Sequence, residues 1–399
     1  MFSYKNKLDY NLKFSLEKSY YTSYRVIIKC KKFINDMKKK IKALKGVILS
    51  SIDSISIICA LLTPRAINRL LEYPEIEFIS LDSYAFLSGL SLKTANHINL
   101  EIPPLKSDYI NIGLVDSGVY PHPDLINPFN KIEHFVDLVN NYEYPYDDNG
   151  HGTAVAGIIC GSGFSSENIY KGVLEKGSVC CYKAFNSTGK GFISDVLFAI
   201  ESLIMDTALN IRVLCLPFET FDNNPFILGC FDSLFQLAEF KNIIPVISAG
   251  SNSGSENSIK GVALSKNCLT VGGLNTTKRE IEPYVFSSSG NKSLKKPEVS
   301  AACAEIRCLN CNSLYVSESN GIRLYPKKLS DNYTTFSGTS LACAYVSALC
   351  AVLLDYTPSL TLRDLRSLIT LSCNEVEYYS KDIVGEGYLD LRRFFKTIL

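Results

Sequence analysis

Residues 336–356 read FSGTSLACAYVSALCAVLLDY. A short polar start passes straight into a run that is apolar on every side. A helix with no polar face belongs inside a large core, not on its surface. The segment therefore predicts a long buried helix with Ser340 at its start.

Working outward, strands and helices alternate. IIPVISAG (243–250) reads as a strand and FDSLFQLAEFKN (231–242) before it as a helix. IRVLCL (211–216) is a strand preceded by the helical stretch GKGFISDVLFAIESLIMDTAL (189–209). NGHGTAVAGIICG (149–161) starts a helix of small residues, and NIGLVDSG (111–118) is a buried strand ending in a polar residue and glycine. Repeated strand–helix order predicts an α/β fold: a mainly parallel sheet with helices on both faces. Such sheets place their sites at the C-terminal ends of the strands.

The first 82 residues follow a different order. YRVIIKC (24–30) reads as a strand, and FINDMKKKIKALKG (33–46) as a helix with Gly46 as its stop. VILSSIDSISIICALL (47–62) predicts two short strands. TPRAINRLLEYP (63–74) predicts a helix capped by Thr63 with Pro64 in its first turn, and EIEFISLD (75–82) closes as a strand. This β-α-β-β-α-β order describes a small α+β sandwich. We divide the chain into a small domain at 1–82, a linker at 83–107 and a large domain at 108–399.

Composition narrows the function classes. The chain has 399 residues, 46% hydrophobic and 20% charged, within the globular range. A formal charge of +1 gives no reason to invoke a nucleic-acid partner. The 14 cysteines include several inside apolar runs, such as CAYVSALC (343–350), and read as buried free thiols. Those thiols, with charges recurring through the first 21 residues, suggest a cytoplasmic protein without a secretory leader or membrane span. One CxxC (Cys308, Cys311) with Cys303 nearby is too little for a zinc site, and we expect no metal and no cofactor.

Three residues carry the candidate chemistry. Asp116 stands where a central strand ends, His151 sits among small residues at a helix start, and Ser340 opens the buried helix. A serine nucleophile needs a base, and the base needs an orienting carboxylate. Each residue alone has an ordinary reading as a cap, a turn or a surface residue. Their order and contexts together favour a triad.

Here the sequence resembles the subtilisin-like serine proteases. IGLVDSGV around Asp116, HGTAVAGI around His151 and SGTSLACAYVSA around Ser340 match the family's three signatures in order. YRVIIKC, TPRAINRLL and EIEFISLD resemble the inhibitory propeptide common in the family. The resemblance implies a serine endopeptidase with a protein or peptide substrate, no membrane or nucleic-acid partner, and its own N-terminal domain as intramolecular inhibitor. It also implies self-processing within 83–107. Other readings are a non-enzymatic sensing protein on the same fold, or a processing protease with one substrate.

The resemblance brings departures as well. SAGSNSG (248–254) puts Ser251 where the family has its oxyanion asparagine; a one-residue bulge would leave Asn252 in that role. In RVLCLPFE (212–219), Cys215, Leu216 and Pro217 stand for the substrate-binding strand, and Gly250 is a further substrate-binding candidate. Pro217 lacks the N–H that an added strand would use. The other possibility is that LCLP is a core strand with no substrate role. His122 matches a structural histidine.

Overall fold

The computed structural model describes residues 7–87, 103–107, 110–221, 223–252, 256–278, 280–291 and 293–396. Most of the window for self-processing therefore lies outside the described residues.

The small domain runs α1 (Tyr10–Glu17), β1 (Tyr24–Cys30), α2 (Ile34–Ala43), β2 (Val47–Ile52), β3 (Ile57–Leu62), α3 (Pro64–Leu71) and β4 (Ile76–Leu81). The expected β-α-β-β-α-β order is present, preceded by a helix the sequence reading did not anticipate. Its four-stranded antiparallel sheet has the order β2-β3-β1-β4. Thr63 Oγ1 accepts the N–H of Ala66 at 3.3 Å, and Pro64 follows in the first turn. One sheet face packs on Met37, Ile41, Ile67 and Leu70 of its own helices. The other face, with Ile27, Ile57 and Cys59, packs on the large domain.

A short strand, β5 (Tyr84–Leu87), follows. The large domain then lays down β6 (Ile110–Asp116), α4 (Pro123–Ile126), β7 (Ile132–Asp137), α5 (His151–Cys160), β8 (Gly177–Lys183), β9 (Lys190–Phe192) and α6 (Ile193–Met205). It continues through β10 (Ile211–Leu216), β11 (Phe218–Glu219), α7 (Pro225–Phe240), β12 (Ile244–Ser248), β13 (Leu269–Asn275), β14 (Glu282–Pro283), β15 (Val299–Ala302) and α8 (Thr339–Tyr356). The central sheet has the order β14-β13-β12-β10-β6-β8-β7, with β15 also paired to β13. Every pair in it is parallel except β13–β14. The α/β expectation holds.

α8 is long and apolar enough to cross a membrane, but 83% of it is buried against the sheet, so its composition reflects a core position. All fourteen cysteines are free thiols, and all but Cys311 and Cys373 are buried, as small hydrophobes are. α6 and α7 lie on the face that receives the small domain, where Val196, Leu197, Ile227 and Phe231 share one buried core cluster with Ile27 and Ile57. Each fully buried side chain of this size contributes about 1.5–3 kcal/mol. Polar contacts fix the pose: Glu201 Oε1 accepts the N–H of Ser54 at 2.8 Å, and Asn224 Nδ2 donates to Asp9 Oδ1 at 3.1 Å.

β5 belongs to neither sheet. It lies antiparallel between β11 and β9, pairing Leu87 with Phe218, Phe86 with both Glu219 and Lys190, Ala85 with Gly191, and Tyr84 with Phe192. The chain leaving the small domain thus becomes the middle strand of a sheet whose edges belong to the large domain.

Candidate active site

Asp116 is the last residue of β6 and is fully buried. His151 is the first residue of α5. Its Nδ1 lies 2.8 Å from Asp116 Oδ1 and 3.0 Å from Oδ2. Two local features bring them together. Gly152 has no side chain, and a Cβ there would stand 2.1 Å from the Gly118 carbonyl and 3.2 Å from Asp116 Cβ. Any other residue would push α5 off the end of β6.

The second feature is Asp147, fully buried before the helix. Its Oδ1 accepts from Ser117 Oγ at 2.9 Å, Asn149 N at 3.0 Å and Gly150 N at 2.8 Å. Its Oδ2 accepts from Thr153 N at 2.9 Å and Thr153 Oγ1 at 2.6 Å. One carboxylate thus caps α5 and ties it to the residue after Asp116.

Ser340, second residue of α8, is 1% exposed. Its Oγ donates to the Pro217 carbonyl at 3.0 Å. Beside it, Thr339 Oγ1 donates to the Gly250 carbonyl at 3.3 Å. The start of α8 is therefore held between Pro217, just after β10, and Gly250, just after β12. Both lie at the C-terminal ends of parallel strands, where this architecture places its sites.

Two expected substrate-binding residues do not line the cleft. Cys215 and Leu216 belong to β10, a central strand flanked by β6 and β12, and both are fully buried. They are core residues. β10 ends at Leu216, and Phe218 and Glu219 take up pairing with β5. The missing N–H of Pro217 costs little because its carbonyl is the group turned toward Ser340.

The SAGSN segment is organised by a residue that sequence reasoning missed. Glu219 is 5% exposed. Its Oε2 accepts from Ser251 N at 2.9 Å and Asn252 Nδ2 at 3.1 Å, and its Oε1 from Ser251 Oγ at 2.8 Å. Asn252 N donates to Ser288 Oγ at 2.9 Å. Burial raises the Glu219 carboxyl above its ordinary range, against the lowering effect of these donors. Gly250 has φ +96°, and a Cβ on it would stand 2.5 Å from Glu219 Oε2. Of the two candidates for the oxyanion donor, Ser251 has both its N–H and its hydroxyl turned to Glu219. Asn252 commits one amide contact to the same carboxylate.

His122 caps α4, its Nδ1 accepting the N–H of Asp124 at 3.0 Å. Its Nε2 lies 2.9 Å from the Asn332 carbonyl, a structural placement as expected. Cys308 pairs with Thr334 in a two-stranded ribbon, and Cys311 Sγ lies 3.1 Å from the place a Gly150 Cβ would take.

The serine protease AprX of Bacillus subtilis is 28% identical over 296 residues, 70% of this chain and 64% of AprX. Subtilisin DY of Bacillus licheniformis is 25% identical over 286 residues, 70% of this chain and 90% of that protein. Among solved structures, the epidermin leader peptide processing serine protease of Staphylococcus aureus superposes with a TM-score of 0.69 at 18% identity. That superposition covers 94% of this chain and 98% of the other, and it shows a shared fold that includes the small domain. The chain thus spans somewhat under two thirds of AprX and nearly all of the latter two. The subtilase family model matches residues 107–387, a span containing Asp116, His151 and Ser340. The chain belongs to the subtilase family of serine peptidases.

Proposed function

We propose that the chain is a serine endopeptidase working through Asp116, His151 and Ser340, and that its first substrate is itself. The observation that carries this reading is β5, a stretch of the chain's own backbone paired to β11 beside the carbonyl that Ser340 Oγ touches. Extended peptides commonly bind by adding a strand to an exposed edge.

On this reading Ser340 Oγ attacks the peptide carbonyl while His151 Nε2 takes its proton. Asp116, bonded to Nδ1, fixes the ring tautomer and stabilises the imidazolium. His151 then gives the proton to the leaving amine, and water releases the acyl group by the same route. The oxyanion needs a donor, and the free hydrogen of the Asn252 amide is our assignment; such a donor is worth roughly 3 kcal/mol.

A peptide that carries the β5 pairing one residue further has that residue opposite Pro217. The residue after Leu87 in the sequence is Ser88, which lies outside the described residues; extending the register to it, we assign self-cleavage to the Ser88–Gly89 bond. The domain at 1–82 then acts as inhibitor, with β5 left in the cleft as a product-like strand. The linker shortens accordingly, since 84–87 belongs to the cleft.

The test is labelling of the purified full chain with a fluorophosphonate, together with hydrolysis of an unfolded protein such as casein. Labelling at Ser340, and hydrolysis lost in Asp116→Asn and His151→Ala, supports the reading. A folded chain that stays uncut and neither labels nor hydrolyses is a sensing protein on this fold.

A further inference from the structure

The start of α8 lies between two segments, Pro217–Glu219 and Ala249–Asn252, through the Ser340 and Thr339 contacts. Glu219 crosses from one to the other: its backbone pairs with β5, while its carboxylate takes the N–H and hydroxyl of Ser251 and the amide of Asn252. Gly250 lets the carboxylate lie against the opposite backbone. In a strand, residues two apart face the same side, and so do residues directly opposite each other in a pair. Glu219 and Pro217 are two apart. The substrate residue opposite Pro217, whose carbonyl meets Ser340, therefore sends its side chain to the face that Glu219 occupies.

We propose that Glu219 determines specificity by filling the space for the side chain on the acyl side of the scissile bond, so that the enzyme takes small residues there: glycine, alanine or serine. This rests on the peptidase reading above. A large apolar side chain would have to displace a carboxylate holding three hydrogen bonds. A lysine or arginine would meet a carboxylate that is already satisfied by protein donors and almost wholly buried. On the register assigned above, the residue that falls at this position in the chain's own sequence is Ser88, a small side chain.

The experiment uses the full chain, incubated until self-cleavage is complete. Internally quenched peptides of sequence Tyr-Ala-Phe-Leu-X-Gly-Leu-Ser are supplied, with X as Ala, Ser, Leu, Phe or Arg. The expected result is a kcat/KM for Ala and Ser at least about 10-fold above that for Leu, Phe and Arg, the scale on which pocket fit discriminates. Glu219→Gly should shift the Phe-to-Ser ratio toward Phe by about 10-fold or more, whereas Glu219→Gln, which keeps the volume, should leave it near the wild-type value. Equal cleavage of all five peptides, a preference for Arg, or an unmoved ratio in Glu219→Gly overturns the assignment of Glu219. If the wild type labels at Ser340 with fluorophosphonate, that failure belongs to the specificity assignment alone. If the chain never cuts itself and neither labels nor cuts any peptide, the peptidase reading falls, and this assignment with it.

Discussion

Asp82, at the end of the small domain, accepts the backbone N–H of Ser194 at 2.9 Å through Oδ1. Ser194 lies in the first turn of α6, whose own N-cap, Phe192, offers no side-chain acceptor. The small domain thus supplies the cap that the large domain lacks. Arg25 Nε completes the contact at 2.6 Å from Asp82 Oδ2. Asp82→Ala should weaken docking of the small domain by about 1–2 kcal/mol, the worth of a cap at a helix start. After cleavage, the N-terminal fragment should separate from the large domain in gel filtration at concentrations where the wild-type fragment stays bound. Unchanged retention would remove Asp82 from the interface account.

The same contact predicts a pH dependence. Arg25 is one cation facing two carboxylates, Asp82 and Asp195. Burial, with the repulsion of Asp82, outweighs Arg25 and pushes the Asp195 carboxyl up to about 6. An acid raised in the docked state holds its proton more tightly there than when free. Docking is therefore strongest below about pH 4, the ordinary range of a free aspartate, and weakens as pH rises through about 6. The cleaved fragment should dissociate faster at pH 7.5 than at pH 5, and Asp195→Asn should flatten that difference.

Much of this arrangement was legible in the sequence because it is local. The strand ending in Asp116, the helix starting at His151 and the buried helix after Ser340 each carry their signal within a dozen residues. So does the β-α-β-β-α-β order of the small domain. The features that were missed depend on distant partners. Residues 84–87 carry no strand pattern because both of their pairing strands lie over 100 residues away. Aligning LCLP by motif put Cys215 and Leu216 against the substrate; only the pairing of β10 with β6 and β12 shows that they are core residues. Glu219 gave no sequence signal, since its three donors come from residues 251 and 252.

Asp147 ties the start of α5, where His151 stands, to Ser117 after β6. Asp147→Ala strands five donor contacts in a buried place and should cost about 2–4 kcal/mol of stability. Asp147→Asn keeps one acceptor oxygen and should recover part of the loss. If Asp147 positions His151, Asp147→Asn should lower kcat more than it raises KM. A change in thermal stability alone would make its role structural only.

Gly250→Ala tests the carboxylate bridge from its other side. The new Cβ falls 2.5 Å from Glu219 Oε2 on a backbone with φ +96°, so Glu219 or the 250–252 segment must move. Since Asn252 moves with it, we expect kcat to fall by roughly 10²–10³, the cost of an oxyanion donor, with the fold retained by circular dichroism. Near wild-type kcat would detach this segment from catalysis.

The most direct test of the central claim follows the full chain and its Ser340→Ala variant by intact mass over time. The account predicts that the wild type splits once, giving a new N-terminus at Gly89, while Ser340→Ala remains whole. Two folded proteins that both stay intact, or a variant cut at the same bond as the wild type, would contradict it.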